Sequence, residues 1–206
     1  MSLTKAKIAA LISEIKHGGD APSKPKFHYT IIYAMAEVAR NQIIDIAYKE
    51  MRKEGGNSLP GEFYKAYKNV VVKDDCDTDR KYVDLPSRII TLPHNKGLLS
   101  VSAMKEVSNT FNIMDAGDDS VFAGLEADSF SNPEVYVEGD RLYLRDVPVG
   151  VSGLLIRMIP AIDDFKSDEI IPIPAVLEAE YITMISKLLD EEKETPQDNY
   201  NDSNAN

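Results

Sequence analysis

One ten-residue stretch constrains the fold of this chain more than any other. Residues 135–144 read VYVEGDRLYL. With Gly139 and Asp140 at the centre of a tight turn, each residue before the turn faces one of the same kind after it. The pattern predicts a two-residue β-hairpin in which Gly139 supplies the positive φ of a type II′ turn. One face of the hairpin is then aliphatic, and the other carries Tyr136 and Tyr143.

The register of this hairpin follows from the same matching. Glu138 is expected opposite Arg141, and Val137 opposite Leu142, with the remaining pairs continuing outward. We expect the aliphatic face to point inward, and the tyrosine face to point toward a partner or a second layer of the structure.

Two helices are predicted around this β region. The first runs from about residue 29 to residue 54 and has a polar stripe at four-residue spacing: Glu37, Asn41, Asp45 and Lys49. Its main apolar stripe is Ile32, Met35, Ala39, Ile43 and Ile46, with Ile44 beside that stripe. The apolar arc is too wide for a single contact surface. The second helix begins at Pro174 and carries the apolar stripe Leu177, Tyr181, Met184, Ile185 and Leu188.

Composition divides the chain into four segments. Residues 1–17 are predicted to form a helical arm capped by Ser2 that docks on a neighbour, and residues 18–26 a linker with two prolines. Residues 27–189 are the core domain. Residues 190–206 hold six acids and one lysine, with too little apolar surface to fold alone, and are predicted to be a disordered acidic tail.

The core domain is predicted to be α+β. Residues 62–68 suggest one or two helical turns, and the β region is expected to begin at Val70. Prolines punctuate the following short apolar segments, which places those prolines at sheet edges or at joints between strands. Residues 153–159 indicate a strand buried on both faces except at Arg157. We expect an antiparallel β-sandwich or partly open barrel, flanked by the long helix and the C-terminal helix.

The sequence contains no recognisable catalytic constellation, so we predict a non-enzyme with no catalytic, cofactor-binding or metal residues and no cofactor. His17, His28 and His94 share no ligand spacing with any acid. Asp75, Asp77 and Asp79 imitate the start of a calcium loop. The sixth and twelfth positions of that loop are Arg80 and Pro86, however, where glycine and glutamate are required. The one cysteine, Cys76, excludes an internal disulfide and lies in this acidic loop, where like charge disfavours a reactive thiolate.

Charge limits the classes of partner. The formal net charge is −11, with 34 acidic and 23 basic residues, and the last 17 residues account for nearly half of it. Such a chain is a poor candidate for gripping nucleic acid, since phosphate contacts depend on lysine and arginine. It is compatible with a surface past which DNA slides without sticking. No run of about 18 apolar residues occurs, so no membrane span is predicted.

Four segments together resemble the neck proteins of short-tailed phages. They are VDLP at 83–86, LPHNKG at 92–97, the hairpin at 135–144 and IPIP at 171–174. The similarity is to the ring-forming head–tail connector, or portal adaptor, proteins, particularly those of crAss-like and other Bacteroidetes phages. It covers roughly residues 27–190.

The resemblance implies a structural virion protein that is made in the host cytoplasm and located in the virion neck. Its partners are then further copies of itself in a homo-oligomeric ring, expected to be a dodecamer, with the portal protein and other neck or tail proteins. Genomic DNA passes through the channel without specific binding. The alternative from the residues alone is a β-sandwich binding module that contacts carbohydrate or peptide through its tyrosine face.

Overall fold

The structure is a computed structural model that describes residues 3–18, 27–76, 80–90, 92–104, 106–115, 133–163 and 165–194. In these residues the helices are α1 (Lys5–His17), α2 (Tyr29–Lys53) and α3 (Glu178–Glu194). Short 3₁₀ turns lie at Gly61–Phe63, Pro93–Asn95 and Ala175–Leu177. The strands are β1 (Lys65–Val71), β2 (Lys73–Asp74), β3 (Lys81–Asp84), β4 (Leu98–Ala103), β5 (Glu106–Thr110), β6 (Asn112–Ile113), β7 (Glu134–Glu138), β8 (Arg141–Arg145) and β9 (Gly153–Met158). The predicted α+β class is confirmed.

The chain divides into two compact units. The helical unit comprises Met1–Ile43, Lys166–Ile171 and Ala175–Asn206, and the sandwich unit comprises Ile44–Phe165 and Pro172–Pro174. The helical unit is therefore assembled from both ends of the chain, whereas the sandwich unit is almost continuous in sequence.

Two sheets form the sandwich unit. One has the strand order β1-β9-β4-β5, and the other has the order β2-β3-β8-β7-β6. Their inner faces share one apolar core, to which β4 and β9 contribute Val101 and Ile156 while β3 and β8 contribute Val83 and Leu142. The pairings between these strands are antiparallel except for β6 and β7, which run parallel. The second sheet is therefore mixed, a feature that the sequence did not indicate.

The hairpin register is confirmed. Glu138 lies opposite Arg141 and Val137 opposite Leu142, and the outer pairs follow as predicted. Gly139 has φ of 59°, and Asp140 does not share the positive φ, as a type II′ turn requires. The strand predicted at residues 153–159 is β9, whose residues are buried except at Gly153 and at Arg157, which is exposed.

The start of the β region was predicted too late. A single 3₁₀ turn ends at Phe63, and β1 begins at Lys65, where helical turns had been expected. The side chain of Phe63 is fully buried and fixes the entry to the strand. A register shift between Tyr67 and Val70 accompanies the positive φ of Asn69, so the strand continues through a β-bulge. Because of this bulge, β1 lacks the regular alternation of apolar and polar residues that would have indicated a strand from the sequence.

Helix α1 begins two residues later than expected. Thr4, not Ser2, is its N-cap, and the Thr4 hydroxyl accepts from the backbone N–H of Lys7 at 3.2 Å. The helix packs on α3 of the same chain, where the Lys16 ammonium donates to the Asp190 carboxylate at 2.7 Å and to the Ser186 carbonyl at 3.0 Å. Docking of this helix on a neighbouring subunit remains a prediction.

Helix α2 ends at Lys53 before Gly55, which has φ of 73°. The predicted stripes differ from the observed ones at two positions. Ile44 is 0% exposed, although it was placed beside the core stripe, and Ile46 is 45% exposed, although it was placed within that stripe. Apolar residues cover so much of the surface of this helix that the 3.6-residue periodicity does not define which of them face the core.

The C-terminal helix α3 begins at Glu178 rather than at Pro174, because a 3₁₀ turn that includes Leu177 precedes it. The helix buries Tyr181 and Ile185 as expected, but Leu189 is also fully buried while Leu188 is only half-buried. The helix continues to Glu194, beyond the expected start of the tail at residue 190, because Asp190 is paired with Lys16 and glutamate and lysine favour helix. The rest of the predicted tail lies outside the described residues, as do residues 19–26 of the predicted linker at 18–26. Gly18, the first residue of that linker, is the C-cap of α1. In the described residues, no helix is long and apolar enough to cross a membrane.

Candidate functional site

The three histidines belong to three different segments, and two of them have local partners. The His17 ring Nδ1 lies 2.8 Å from the Ser13 carbonyl in the last turn of α1. The His28 ring Nδ1 lies 2.8 Å from the Thr30 hydroxyl just before α2 begins. His94 belongs to the 3₁₀ turn Pro93–Asn95 of the sandwich unit.

The acidic loop is only partly described, since residues 77–79 lie outside the described range. Cys76 is exposed. Among the described residues, no group of three or more histidine, cysteine, aspartate or glutamate side chains is placed to hold a metal ion. The predictions that the chain has no metal site and no enzymatic activity remain predictions.

Three tyrosines form a ladder across the outer face of the five-stranded sheet. Tyr82 of β3 faces Tyr143 of β8, which faces Tyr136 of β7. The Tyr136 and Tyr143 rings are stacked with centroids 5.5 Å apart, and the Tyr82 and Tyr143 centroids are 6.1 Å apart. Only two of these residues were predicted, because the third arrives from a strand that is distant in sequence. We call this set the tyrosine ladder.

Cations hold both ends of the tyrosine ladder. The Arg80 guanidinium donates to the Tyr136 hydroxyl at 2.6 Å, and the Arg141 guanidinium carbon lies 4.4 Å from the Tyr82 ring centroid. A hydrogen bond with Tyr143 raises the pKa of Arg141 above its ordinary value. Tyr136 is only 5% exposed and Tyr82 and Tyr143 are half-buried, so much of the ladder is covered by the protein itself. This geometry favours a packing role for the ladder.

Beside the Tyr82 end of the ladder lies a charged cluster. Lys73 of β2 forms an ion pair with Asp84 of β3, and Arg141 lies 3.8 Å from the same carboxylate. The hydrogen bond and the charge of Asp84 raise the pKa of Lys73. These groups are exposed, so the cluster orients side chains at the surface without contributing much stability.

A cavity of about 430 Å³ opens at one end of the sandwich unit. Its apolar wall is Leu85, Ile89, Ile90, Leu92 and Val137. Arg88 and the hairpin turn at Gly139 and Asp140 form its rim. We call this cavity the end pocket. The backbone around it is fixed, because Leu85 N–H donates to the Asp140 carbonyl at 2.9 Å and Ile159 N–H donates to the Gly97 carbonyl at 2.7 Å.

Gly97 allows two backbone segments that line the end pocket to approach each other closely. A Cβ atom at Gly97 would lie 2.1 Å from the Ile90 carbonyl oxygen, so any side chain there would push the two segments apart. The LPHNKG segment at 92–97 therefore requires its glycine for close backbone approach. The backbone at Ile90 therefore lies directly against the backbone at Gly97.

The other end of the sandwich unit carries exposed aliphatic side chains. Val149 is fully exposed, Val71 is 63% exposed, and Pro148 is also exposed. Val71 pairs with Gly153, just after the loop that holds Pro148 and Val149. We call these three residues the apolar tip. The sequence showed only that the chain turns at 147–150, because the exposure of a valine cannot be read from a short apolar segment.

The sequence matches no known protein-family model and no curated protein.

Proposed function

We propose that this protein is a structural subunit of a ring in a phage neck, where it joins the portal to tail components around the DNA channel. The observation that supports this proposal most is the convergence of three of the segments that carry the resemblance. Leu85, the 92–97 segment and the hairpin turn, which are up to 55 positions apart in sequence, surround the end pocket. Segments that define one surface are typical of a shared contact site.

The charge of the chain supports a channel protein that does not bind DNA tightly. A net charge of −11 repels phosphate, and a repulsive channel wall lets a duplex pass without strong binding. The exposed aliphatic residues Val71 and Val149 of the sandwich unit give the subunit a surface that contact with other proteins would cover.

The test is the assembly state. We expect the purified chain, alone at high concentration or with the portal protein of the same genome, to form closed rings visible by negative-stain electron microscopy. Sedimentation velocity should then give one discrete large species, expected to be the dodecamer. A chain that stays monomeric with the portal present, or that is absent from purified virions, contradicts the proposal.

The alternative proposal is a binding module that uses the tyrosine ladder. The observation behind it is a row of three tyrosines on one sheet face, in which the Tyr136 and Tyr143 rings are stacked and the Tyr82 ring is tilted. A tyrosine that is not fully covered offers a ligand both an apolar ring and a polar hydroxyl. Screening on glycan and peptide arrays, with Tyr82→Ala as the matched variant, tests this alternative. Binding by a monomer that Tyr82→Ala abolishes would support the module over the ring subunit.

A further inference from the structure

The end pocket and the apolar tip lie at opposite ends of the same sandwich. Strand β8 starts at Arg141, beside the pocket rim, and ends at Arg145, just before the loop of the tip. Strand β9 returns from Gly153, which pairs with Val71 of the tip, to Met158, next to the backbone bonds that frame the pocket. A five-residue strand spans about 17 Å, so the tip of one molecule cannot reach its own pocket.

The apolar tip is a tight turn with an exposed aliphatic side chain, which suits it to insert into a cavity. Val151 N–H donates to the Pro148 carbonyl at 3.3 Å and Gly150 has φ of 93°, so the loop closes in a type II turn with Val149 at its corner. A rigid turn loses little conformational entropy when it binds. A fully exposed valine at such a corner gains free energy if it is buried.

The pocket offers the complementary surface. Five aliphatic side chains line it, together with the polar residues Asn95, Asp140 and Arg88. The Arg88 side chain is 62% exposed. Next to the tip, Asp146 has a side chain that is 42% exposed. Arg88 pairs with the exposed Asp163, and such an exposed pair is weak enough to exchange. Asp146 lies 3.6 Å from the half-buried Arg145, which also lies 3.7 Å from Glu134 and would keep that partner if Asp146 turned to another cation. Arg88 at the end pocket and Asp146 beside the apolar tip thus carry opposite charges, and aliphatic side chains accompany both of them.

We propose that the apolar tip of one copy inserts into the end pocket of the next, with Asp146 beside Arg88 of that next copy. The contact joins two different surfaces, so it is heterologous and repeats head to tail, as ring closure requires. This inference rests on the proposed ring function, for which it names the contact between subunits.

A cross-linking experiment tests the direction of the contact. In a Cys76→Ser background, Val149→Cys and Arg88→Cys are made as separate full-length chains. Oxidation of the mixture should give a covalent dimer that contains one chain of each kind, and each chain alone should stay uncrosslinked. A Val149→Cys chain that cross-links to itself indicates a two-fold contact and overturns the proposal.

Substitutions test the strength of the contact. Val149→Asp should weaken self-association about tenfold or more, as expected for losing the burial of one aliphatic side chain, while circular dichroism and thermal unfolding stay unchanged. Val176→Asp, at an exposed position of the helical unit, is the matched control. Arg88→Asp should also weaken association, and combining it with Asp146→Arg should restore it.

The outcomes separate the inference from the proposed function. If the Val149→Asp variant forms the same rings as the wild type, the tip-and-pocket contact is wrong and the proposed ring function is unaffected. A wild-type chain that never associates, with or without the portal protein, overturns both.

Discussion

At the scale of single residues, Tyr181 shows how a polar group is tolerated in a buried site. Its hydroxyl donates to the Ala36 carbonyl at 2.9 Å inside the helical unit. Burial raises the pKa of Tyr181 well above its ordinary value of 10.0, and the nearby charge of Arg40 opposes this rise only in part. The neutral phenol is therefore the form that the folded state requires.

Tyr181→Phe should separate the hydrogen bond from the ionisation. At neutral pH the variant loses one bond, at a cost of about 0.5–1.5 kcal/mol. Because the folded pKa is raised, the wild type is stable below pH 10 and loses stability as pH rises further, when the unfolded phenol ionises. Thermal unfolding at pH 7 and above pH 10 should show a smaller alkaline loss for the variant. Tyr29→Phe, at an exposed position, is the control, and an equal alkaline loss in both variants contradicts the assignment.

Ile44 and Ile46 are a matched pair for the burial of α2. Ile44→Ala should lower the free energy of unfolding by about 2–5 kcal/mol, since its side chain is fully buried. Ile46→Ala should change it by less than about 0.5 kcal/mol. Urea unfolding measures both. Equal effects would show that the helix is rotated relative to the structure.

At the scale of elements, the sequence was most informative where adjacent residues interact. The hairpin was predicted to the residue, because its register depends on a two-residue turn and four neighbouring pairs. The buried face of α2 was not, because a helix with apolar residues on most of its surface gives little periodic contrast. Tyr82 joined the tyrosine ladder through the β3–β8 pairing, which no local pattern reports.

The surfaces proposed for assembly show the same limit. Leu85 and Asp140 meet through a hydrogen bond between segments 55 positions apart, so the end pocket has no continuous signature in the sequence. The glycine of the 92–97 segment was visible, but its reason, the nearby Ile90 carbonyl, was not. Short local patterns could therefore be predicted, whereas cavities built from several segments could not.

The cap of α1 gives a test at this scale. Thr4→Ala should cost about 1 kcal/mol, because the N–H of Lys7 loses its acceptor. Ser2→Ala should leave the melting temperature unchanged. If Ser2→Ala lowers the melting temperature more than Thr4→Ala does, the N-cap is Ser2, as the sequence indicated.

At the scale of the whole molecule, the helical unit depends on α3. Ile8 and Ile12 of α1 are fully buried, and α1 contacts α3. A chain truncated before Glu178 should expose α1 to proteases while the sandwich unit stays protected. Truncation after Glu194 is the matched control and should leave α1 protected. Limited proteolysis with mass spectrometry reads both, and rapid loss of the sandwich unit in the first variant would show that the two units do not fold separately.

The helical unit combines segments that are far apart in sequence, and this separation determines when the unit can fold during synthesis. Lys16 and its partner Asp190 are 174 positions apart. At about 5–20 residues per second, a ribosome delivers the second roughly 10–35 s after the first. During that interval α1 lacks its contact with α3, while the sandwich unit, which lies between these two positions in sequence, is synthesised. Helix α3 thus completes the packing of α1, so the order of synthesis delays the folding of the helical unit until α3 has been made.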